Sequence, residues 1–375
     1  MYVYMTIDYY SPVLHIRRLL MRFRRLGYQA RVIVRRNAVV LLLISLVVVV
    51  WQVLPALLPD NKFEGPKTRV KDHWEKFVMY NSTAQTALRD LREFVHENHV
   101  ELPLFSLKSK PRICVGVETA RREGSPFKYL SQALASLVTR MSTKRGVYIH
   151  VFNVDDEPHL HTEVDEISDL FPVSNVKAKS PPNTVRKLQE GLDFADLFYE
   201  MRSWDCPHVV LVEDDALAQQ GWVERVELAA NQLRNRDWLM VRLYVVRKHY
   251  PAHTPVGVTD FDQGFNTVAL MVRKEYLVPM ADEVRAAINR VFATDDRRYF
   301  GAKDEFMSEH LNSFFRQPIL GFEPPIFQHT GVFSSVMSRD KELLEYYMQA
   351  PNFESENQPI VFDAHQFHEL LNEKP

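Results

Sequence analysis

Apolar and polar positions along the middle of the chain follow the periods of strands and helices in turn. Three apolar runs, "RICVGVETA" from residue 112, "GVYIHVFNVD" from 146 and "PHVVLVEDDA" from 207, predict buried strands. The segments between them, "SPFKYLSQALASLVTRM" and "NTVRKLQEGLDFADLFYEMRSW", have helical spacing, the first with Ser125 as N-cap and Pro126 at the first position. This order predicts an α/β fold with a mainly parallel sheet flanked by helices, and places function at the carboxyl ends of its strands.

The residues before this pattern have a different character. Residues 66–102 are amphipathic with helical spacing and predict a stalk or a leading helix. Further upstream, Ala38 to Leu57 is a run of 20 residues without a charge. A helix of that length spans the ~30 Å hydrocarbon core of a bilayer. We therefore expect one transmembrane helix over residues 38–58.

Charge orients this predicted span. Residues 1–37 carry eight Arg against one acid, a charge of +7, which leaves −9 for the rest of a chain of net charge −2. The positive-inside rule then places the N-terminus in the cytosol and everything after the span in the secretory lumen, as in a single-pass type II protein. The sequon Asn81-Ser82-Thr83 agrees with a luminal location. The acidic body is a poor partner for nucleic acid.

Cysteine is scarce in this chain, which has only Cys114 and Cys206. No disulfide framework can hold the domain, so the hydrophobic core must do so. Each cysteine adjoins a predicted strand. A bridge between them is one possibility, and two separate buried thiols are the expectation.

Three consecutive carboxylates, Glu213, Asp214 and Asp215, end the strand that begins at His208. Carboxylates at a strand tip can hold a hard divalent cation through oxygen ligands. The alternative is that they only cap the following helix, whose N-terminus favours anions. By contrast, "HLHTEVDE" at residues 159–166 lacks the spacing of a zinc site and is expected in a solvated loop.

Four segments between residues 111 and 340 resemble one group of enzymes. "VVLVEDDA" resembles the acidic motif of GT-A-fold glycosyltransferases, and "PPIFQHTGVFSSV" resembles the C-terminal signature of the group containing post-GPI attachment to proteins factor 4 (the GPI GalNAc transferase) and N-acetylglucosaminyltransferase IV. "VGVETARREGSPFKYLSQALASLV" and "RKLQEGLDFADLFYEM" resemble that group's first strand with its helix and the helix before the acidic strand. The GPI enzyme of animals interrupts its domain with two transmembrane helices, and residues 238–277 of this chain contain no run that long.

The resemblance implies roles for particular residues. Asp215 would be the most direct metal ligand, with His329 as a second ligand, and Asp214 and Glu213 would orient metal, ribose or donor sugar. Asp304, with Glu305 beside it, would be the general base of an inverting transfer. The remaining candidates would contact the donor or acceptor: Glu118, Thr119 and Arg121 the donor nucleotide, and Ser334 and Ser335 the diphosphate or acceptor. Each set also has an ordinary alternative. The acidic triplet and Asp304 could cap helices, and His329 could be a packed or surface residue. The residues after the first strand could form a plain strand-to-helix loop, and the two serines could cap local backbone.

Together these features imply a Golgi glycosyltransferase that uses Mn²⁺ and moves a hexose or N-acetylhexosamine from a UDP-sugar to a mannose-containing glycan. The GPI-anchor glycan is the leading acceptor and an N-glycan mannose branch the second. A catalytically silent glycan-binding or scaffold protein on the same fold is the non-enzyme alternative. The predicted domains are a cytosolic tail (1–37), the span (38–58), a luminal stem (59–110), a GT-A-like catalytic domain (111–340) and a C-terminal extension packing on it (341–375).

Overall fold

The computed structural model describes residues 66–105, 111–122, 125–143, 146–182, 184–244, 256–260, 267–301, 303–330 and 359–372. The predicted basic tail, the predicted membrane span, Ser334 and Ser335 lie outside these residues. Among the helices that are described, none combines the length and the apolar character needed to cross a bilayer. Residues 245–255 and 261–266, within the segment predicted to lack a span, also lie outside the described residues.

A mixed α/β architecture with a mainly parallel central sheet confirms the predicted fold class. The first half of the sheet is built from β1 (Ile113–Thr119), β2 (Val147–Asn153), β3 (Val173–Asn175) and β4 (His208–Glu213). These four strands are parallel and lie in the order β3-β2-β1-β4. All seven residues of β1 are buried, as expected for a strand that is covered on both faces.

The second half of the sheet introduces antiparallel pairing. β6 (Met240–Arg242), β7 (Gly257–Thr259), β8 (Ala269–Arg273) and β9 (Ile319–Glu323) extend the order as β4-β8-β6-β9-β7. β8 is antiparallel to both β4 and β6, whereas β6 and β9 are parallel. Two short strands, β5 (Ala216–Ala218) and β10 (Phe327–His329), form a separate antiparallel pair directly after the acidic triplet.

Helices cover both faces of the sheet. They are α1 (Pro66–Glu97), α2 (Tyr129–Thr139), α3 (Thr162–Ile167), α4 (Arg186–Met201), α5 (Trp222–Gln232), α6 (Leu277–Thr294), α7 (Lys303–Glu305), α8 (Leu311–Phe315) and α9 (Ala364–Asn372), with a π-helical turn at Phe306–His310. α4 and α6 pack closely at Gly191. A Cβ there would lie 2.5 Å from the Phe300 ring and 2.8 Å from Ile288, so the contact requires glycine.

Cys114 and Cys206 are joined in a disulfide, so the expectation of two separate thiols is wrong. Cys114 lies in β1, and Cys206 lies two residues before β4, the strand parallel to β1. This pairing brings the two Cα atoms to 6.0 Å, within the range that a disulfide spans. Sequence reasoning missed the bridge because it depends on which strands are neighbours in the sheet.

α1 forms part of the same core as the sheet. Its buried side chains follow helical spacing (Phe77, Tyr80, Ala84, Ala87, Leu88, Leu91 and Val95), and α1 packs on α2. The described part of the C-terminal segment also contacts α1: Phe367 meets Phe94 edge-to-face with 5.7 Å between ring centroids. The leading helix therefore belongs to the α/β body, while the predicted domain boundaries stay predictions.

α2 begins three residues later than its sequence predicts, at Tyr129. Ser125 does not cap it: the Ser125 hydroxyl accepts a hydrogen bond from the Phe127 backbone N–H at 3.1 Å. The Lys128 N–H is instead bound by the side-chain oxygen of Asn81 in α1, at 2.8 Å. The sequon asparagine thus contributes to the contact between the two helices. A glycan at Asn81 stays a prediction.

Candidate active site

The tips of β1 and β4 bring the predicted donor and acidic residues together. Because the strands are parallel neighbours, Glu118 lies opposite Glu213 in the register. The Asp214 N–H donates to the Glu118 carbonyl at 3.0 Å, and the Thr119 hydroxyl donates to Asp214 Oδ2 at 2.7 Å. Thr119 therefore fixes the orientation of the Asp214 carboxylate, a contact that joins two separately predicted sets of residues.

Asp215 and His329 are also adjacent in space although 114 residues separate them. β10 pairs with β5 so that His329 lies opposite Ala216, the residue after Asp215. His329 Nε2 is 3.2 Å from Asp215 Oδ2. Thr330 holds the backbone of Asp215 from the same strand end, donating from its N–H at 2.7 Å and its hydroxyl at 2.8 Å to the Asp215 carbonyl. The two residues predicted to hold a metal thus lie together.

Arg122 completes this cluster, and the sequence did not single it out. Its guanidinium forms ion pairs with Asp214 and with Asp215 Oδ2, the latter at 2.8 Å. It also lies over the Tyr129 ring, 4.6 Å from the centroid, a cation–π arrangement. We call Asp214 and Asp215 the acidic pair; Arg122 is a cation that neutralises part of its charge.

The environment moves the pKa values of these groups in opposite directions. Burial raises the pKa of Asp214, and Arg122 offsets this only in part. Burial acts in the same direction on Asp215, but the charges of Arg122 and His329 outweigh it and hold the pKa of Asp215 below its usual range. Burial lowers the pKa of His329, yet the Asp215 carboxylate raises it on balance. Asp215 is therefore the carboxylate of the acidic pair that stays ionised most readily.

A buried lysine ties together carboxylates from three elements beside the acidic pair. Lys303 Nζ lies 3.4 Å from Glu118, 3.0 Å from Glu213 and 3.4 Å from Glu190 of α4. Burial raises the pKa of Glu118 to about 8, because Lys303 compensates the loss of water only in part. The Thr267 hydroxyl donates to Glu213 at 2.7 Å. Glu213 and Glu118 are thus held by protein groups.

These strand tips open into a cavity of about 860 Å³. That volume is within the range of small-molecule sites. Eight acidic and five basic side chains line it, so its wall carries an excess of negative charge: Glu118, Asp155, Asp156, Glu157, Glu190, Asp193, Glu213 and Asp214 against Arg121, Arg122, Lys177, Arg186 and Lys303. A negatively charged ligand would need a further cation to bind here.

Arg121 lies at the same cavity and contacts carboxylates that follow β2. Its backbone N–H donates to Asp155 Oδ2 at 2.9 Å, and its guanidinium lies 3.6 Å from Glu157. Asp155 follows β2, so Arg121 links the tips of β1 and β2. The two consecutive arginines therefore contact different sets of carboxylates.

Asp304 and Glu305 adjoin Lys303, but the structure does not bring them into hydrogen-bond contact with the acidic pair. Asp304 is half-buried and Glu305 is exposed. Within the described residues, the hydrogen bonds of Asp304 are local: its side chain accepts from the Glu305 N–H at 3.0 Å, and its carbonyl accepts from the Ser308 hydroxyl at 2.7 Å. The role of Asp304 as a base stays a prediction.

His161 was expected in a solvated loop, and that expectation is wrong. It is buried, directly before α3, and its Nε2 lies 3.0 Å from the Thr119 hydroxyl. Glu163 is engaged elsewhere, accepting from the Ser131 N–H at 3.0 Å. His161 thus supports Thr119, which in turn orients Asp214. Its spacing along the sequence gives no signal for this contact.

The residues at Asp215 fit a divalent cation by their chemistry. Asp215 Oδ1 is buried and has no hydrogen-bond partner, and the imidazole nitrogen of His329 lies beside the same carboxylate. A carboxylate oxygen and an imidazole are suitable ligands for a borderline-hard ion such as Mn²⁺. In the described part of the chain, no three His, Cys, Asp or Glu side chains converge as a complete metal site. Water or substrate oxygens would have to supply the remaining ligands.

Comparison with solved structures finds distant similarity to glycosyltransferases. The glycosyltransferase GlyE of Streptococcus pneumoniae TIGR4 aligns with 12% identity and a TM-score of 0.38 over 71% of this chain, which spans 64% of GlyE. Mouse xyloside xylosyltransferase 1 aligns with 9% identity and a TM-score of 0.35 over 55% of this chain and 83% of its own. Residues 1–349 of S. aureus TarS align with 12% identity and a TM-score of 0.36 over 58% of this chain and 59% of that chain. No curated protein sequence matches the chain significantly.

Strand order and the acidic strand tip fit a GT-A-like fold. A family model adds a match in sequence. The model of the GPI-N-acetylgalactosamine transferase PGAP4 matches residues 113–256, from β1 to the residue before β7. The chain is therefore similar to PGAP4 over this stretch, as its sequence predicted, and the stretch contains Glu118, the acidic pair, Arg121 and Arg122.

Proposed function

We propose that this chain transfers an N-acetylhexosamine, specifically N-acetylgalactosamine, from its UDP-sugar to the mannose-containing glycan of a GPI anchor. The observation that carries the proposal is the convergence of Asp214, Asp215 and His329 at the strand tips, beside the cavity. The family model supports the choice of sugar and acceptor, because it describes a GPI-N-acetylgalactosamine transferase. An N-glycan mannose branch is the acceptor that the assay below would have to exclude.

The charge of the cavity supports a role for a divalent cation. A UDP-sugar carries a negatively charged diphosphate, and the cavity wall is itself acidic. Bound at Asp215 and His329, Mn²⁺ would stabilise the negative charge of the departing UDP. The chain's own cations, Arg121 and Arg122, lie at the same wall and can attract the diphosphate. Glu213 and Glu118 are held by Lys303 and define one side of the donor site.

The acceptor hydroxyl requires a base in an inverting transfer. We assign this role to Asp304, which follows Lys303 directly and is half-buried. Its carboxylate would take the proton of the hydroxyl as the oxygen attacks the anomeric carbon of the donor. Lys303 positions Asp304, because the lysine is tied by its Nζ to the tips of β1 and β4 and to α4.

The assay that tests this function uses the full-length chain in detergent. UDP release is measured with UDP-N-acetylgalactosamine, UDP-N-acetylglucosamine, UDP-galactose and UDP-glucose, each with a GPI glycan or a mannose-branched N-glycan. We expect release above background only with the first donor and the GPI glycan, and only with Mn²⁺ present. If sugar is transferred only to the N-glycan, the acceptor is the N-glycan mannose branch and not the GPI glycan. No release with any pair would leave the catalytically silent alternative.

We further propose that the catalytic domain is luminal in the Golgi, with the N-terminus in the cytosol. The arginine-rich segment before the apolar run supports this orientation, and the Cys114–Cys206 disulfide suits an oxidising compartment. In sealed microsomes, added protease should remove an N-terminal tag while an antibody epitope after residue 330 survives. Survival of the N-terminal tag without detergent would contradict the proposed orientation.

A further inference from the structure

Arg122 occupies the position beside the acidic pair that a bound metal cation would need. Its side chain is only 12% exposed, and it contacts both carboxylates of the pair. It also lines the cavity. Arginine cannot lose its proton in this setting, so the positive charge is permanent.

The contacts of Asp215 show the conflict in detail. Oδ2 of Asp215 is 2.8 Å from the Arg122 guanidinium and 3.2 Å from His329 Nε2. A divalent cation that used Asp215 and His329 would therefore lie close to the guanidinium. Two cations repel strongly at a buried site, where the effective dielectric constant is low. The single charge of the Asp215 carboxylate cannot hold both cations at full strength.

We propose that Arg122 is the counter-ion of the acidic pair in the donor-free protein, and that a divalent cation displaces it on binding. The inference rests on the proposed metal-dependent transfer. Because the metal binds only molecules whose guanidinium has moved, its apparent dissociation constant is the intrinsic one divided by that fraction. The displaced guanidinium stays at the cavity wall, where a diphosphate can bind it. Metal and UDP should then strengthen each other's binding.

The test measures Mn²⁺ affinity directly, by calorimetry on the full-length chain without donor. Arg122→Met should bind Mn²⁺ at least about tenfold more tightly than the parent, because no internal cation competes. UDP should tighten Mn²⁺ binding less in Arg122→Met than in the parent, since the guanidinium is no longer there to bind the diphosphate. Arg122→Lys keeps the charge and should stay close to the parent.

Arg121→Met is the matched control. It removes the same charge from the same cavity but not from the acidic pair, so we expect a change in Mn²⁺ affinity of less than about threefold. Asp215→Asn should abolish the binding in every background, which shows that the measured site is the acidic pair. Thermal unfolding reports on folding: Mn²⁺ should raise the Tm of Arg122→Met more than that of the parent. Arg122→Gln serves as a second neutral variant if the Met variant does not fold.

Three outcomes would overturn the inference. If Arg122→Met and Arg122→Gln bind Mn²⁺ no more tightly than the parent, Arg122 does not compete with the metal, and the proposed function stands. If Arg121→Met tightens binding as much as Arg122→Met, the effect is general charge and not displacement. If the parent binds no Mn²⁺ at millimolar concentration, both this inference and the proposed metal dependence are wrong. The UDP-release assay then still decides whether the chain transfers sugar.

Discussion

Asp215→Asn should reduce UDP release at least ~10²-fold while the chain stays folded. Asparagine preserves the size and one side-chain oxygen but removes the charge that a divalent cation needs. Metal stabilisation of a leaving group contributes several kcal/mol, and each 1.36 kcal/mol is tenfold in rate. The measurement is UDP release from UDP-N-acetylgalactosamine at saturating Mn²⁺, with circular dichroism to confirm folding.

EDTA should reproduce this loss in the parent, and added Mn²⁺ should reverse it. The matched control is Asp90→Asn, which removes an aspartate charge from the exposed surface of α1, where Asp90 pairs with Arg89. That variant should release UDP at the parental rate. Near-normal turnover by Asp215→Asn would mean that the acidic triplet only caps the segment after β4.

The second large effect concerns Asp304. Asp304→Asn should lower sugar transfer ~10²–10⁴-fold, the range of general-base contributions, while donor affinity stays within about twofold. The base acts on the acceptor proton, not on the diphosphate. Asparagine keeps the side-chain oxygen that accepts from the Glu305 N–H, so the local cap survives and only the charge is lost. Transfer is measured by product formation and donor affinity by calorimetry.

His329→Ala provides the opposite pattern for comparison. A lost metal ligand should weaken UDP and Mn²⁺ binding together, before any acceptor arrives. Glu305→Gln tests the neighbouring carboxylate, which is exposed in this structure. If Glu305→Gln loses transfer and Asp304→Asn does not, the base is Glu305. If Asp304→Asn loses donor binding while His329→Ala binds normally, the two assigned roles are exchanged.

Sequence reasoning predicted the strand tips well because their positions depend on local pattern and strand order. The three parallel strands and the tip residues Glu118 and Glu213 follow from apolar runs and βαβ connectivity. The approach of His329 to Asp215 could not follow from pattern alone. It depends on the β5–β10 pairing, and only the resemblance to a known signature pointed to it.

Other parts of the site depend on side-chain direction, which pattern does not give. Arg121 and Arg122 are adjacent in sequence, yet Arg122 forms ion pairs with the acidic pair whereas Arg121 forms them with Asp155 and Glu157. Which of them does so is decided by how the chain leaves β1 and by the Tyr129 ring beneath the guanidinium. The disulfide needed knowledge that β1 and β4 are neighbours. The start of α2 was misplaced because Ser125 binds the Phe127 N–H instead of capping the helix, and Asn81 of a distant helix binds the N–H of Lys128, the residue before the helix.

The lysine at the centre of the three glutamates makes these residues energetically inseparable. Glu118, Glu190 and Glu213 share the single ammonium of Lys303, and Glu213 also accepts a hydrogen bond from the Thr267 hydroxyl. Substituting any one of them redistributes the lysine's attraction among the others, so the effects of single substitutions will not add. An alanine scan across this set would therefore assign the same interaction free energy several times. Double-mutant cycles anchored on Lys303 are needed to apportion it to individual pairs.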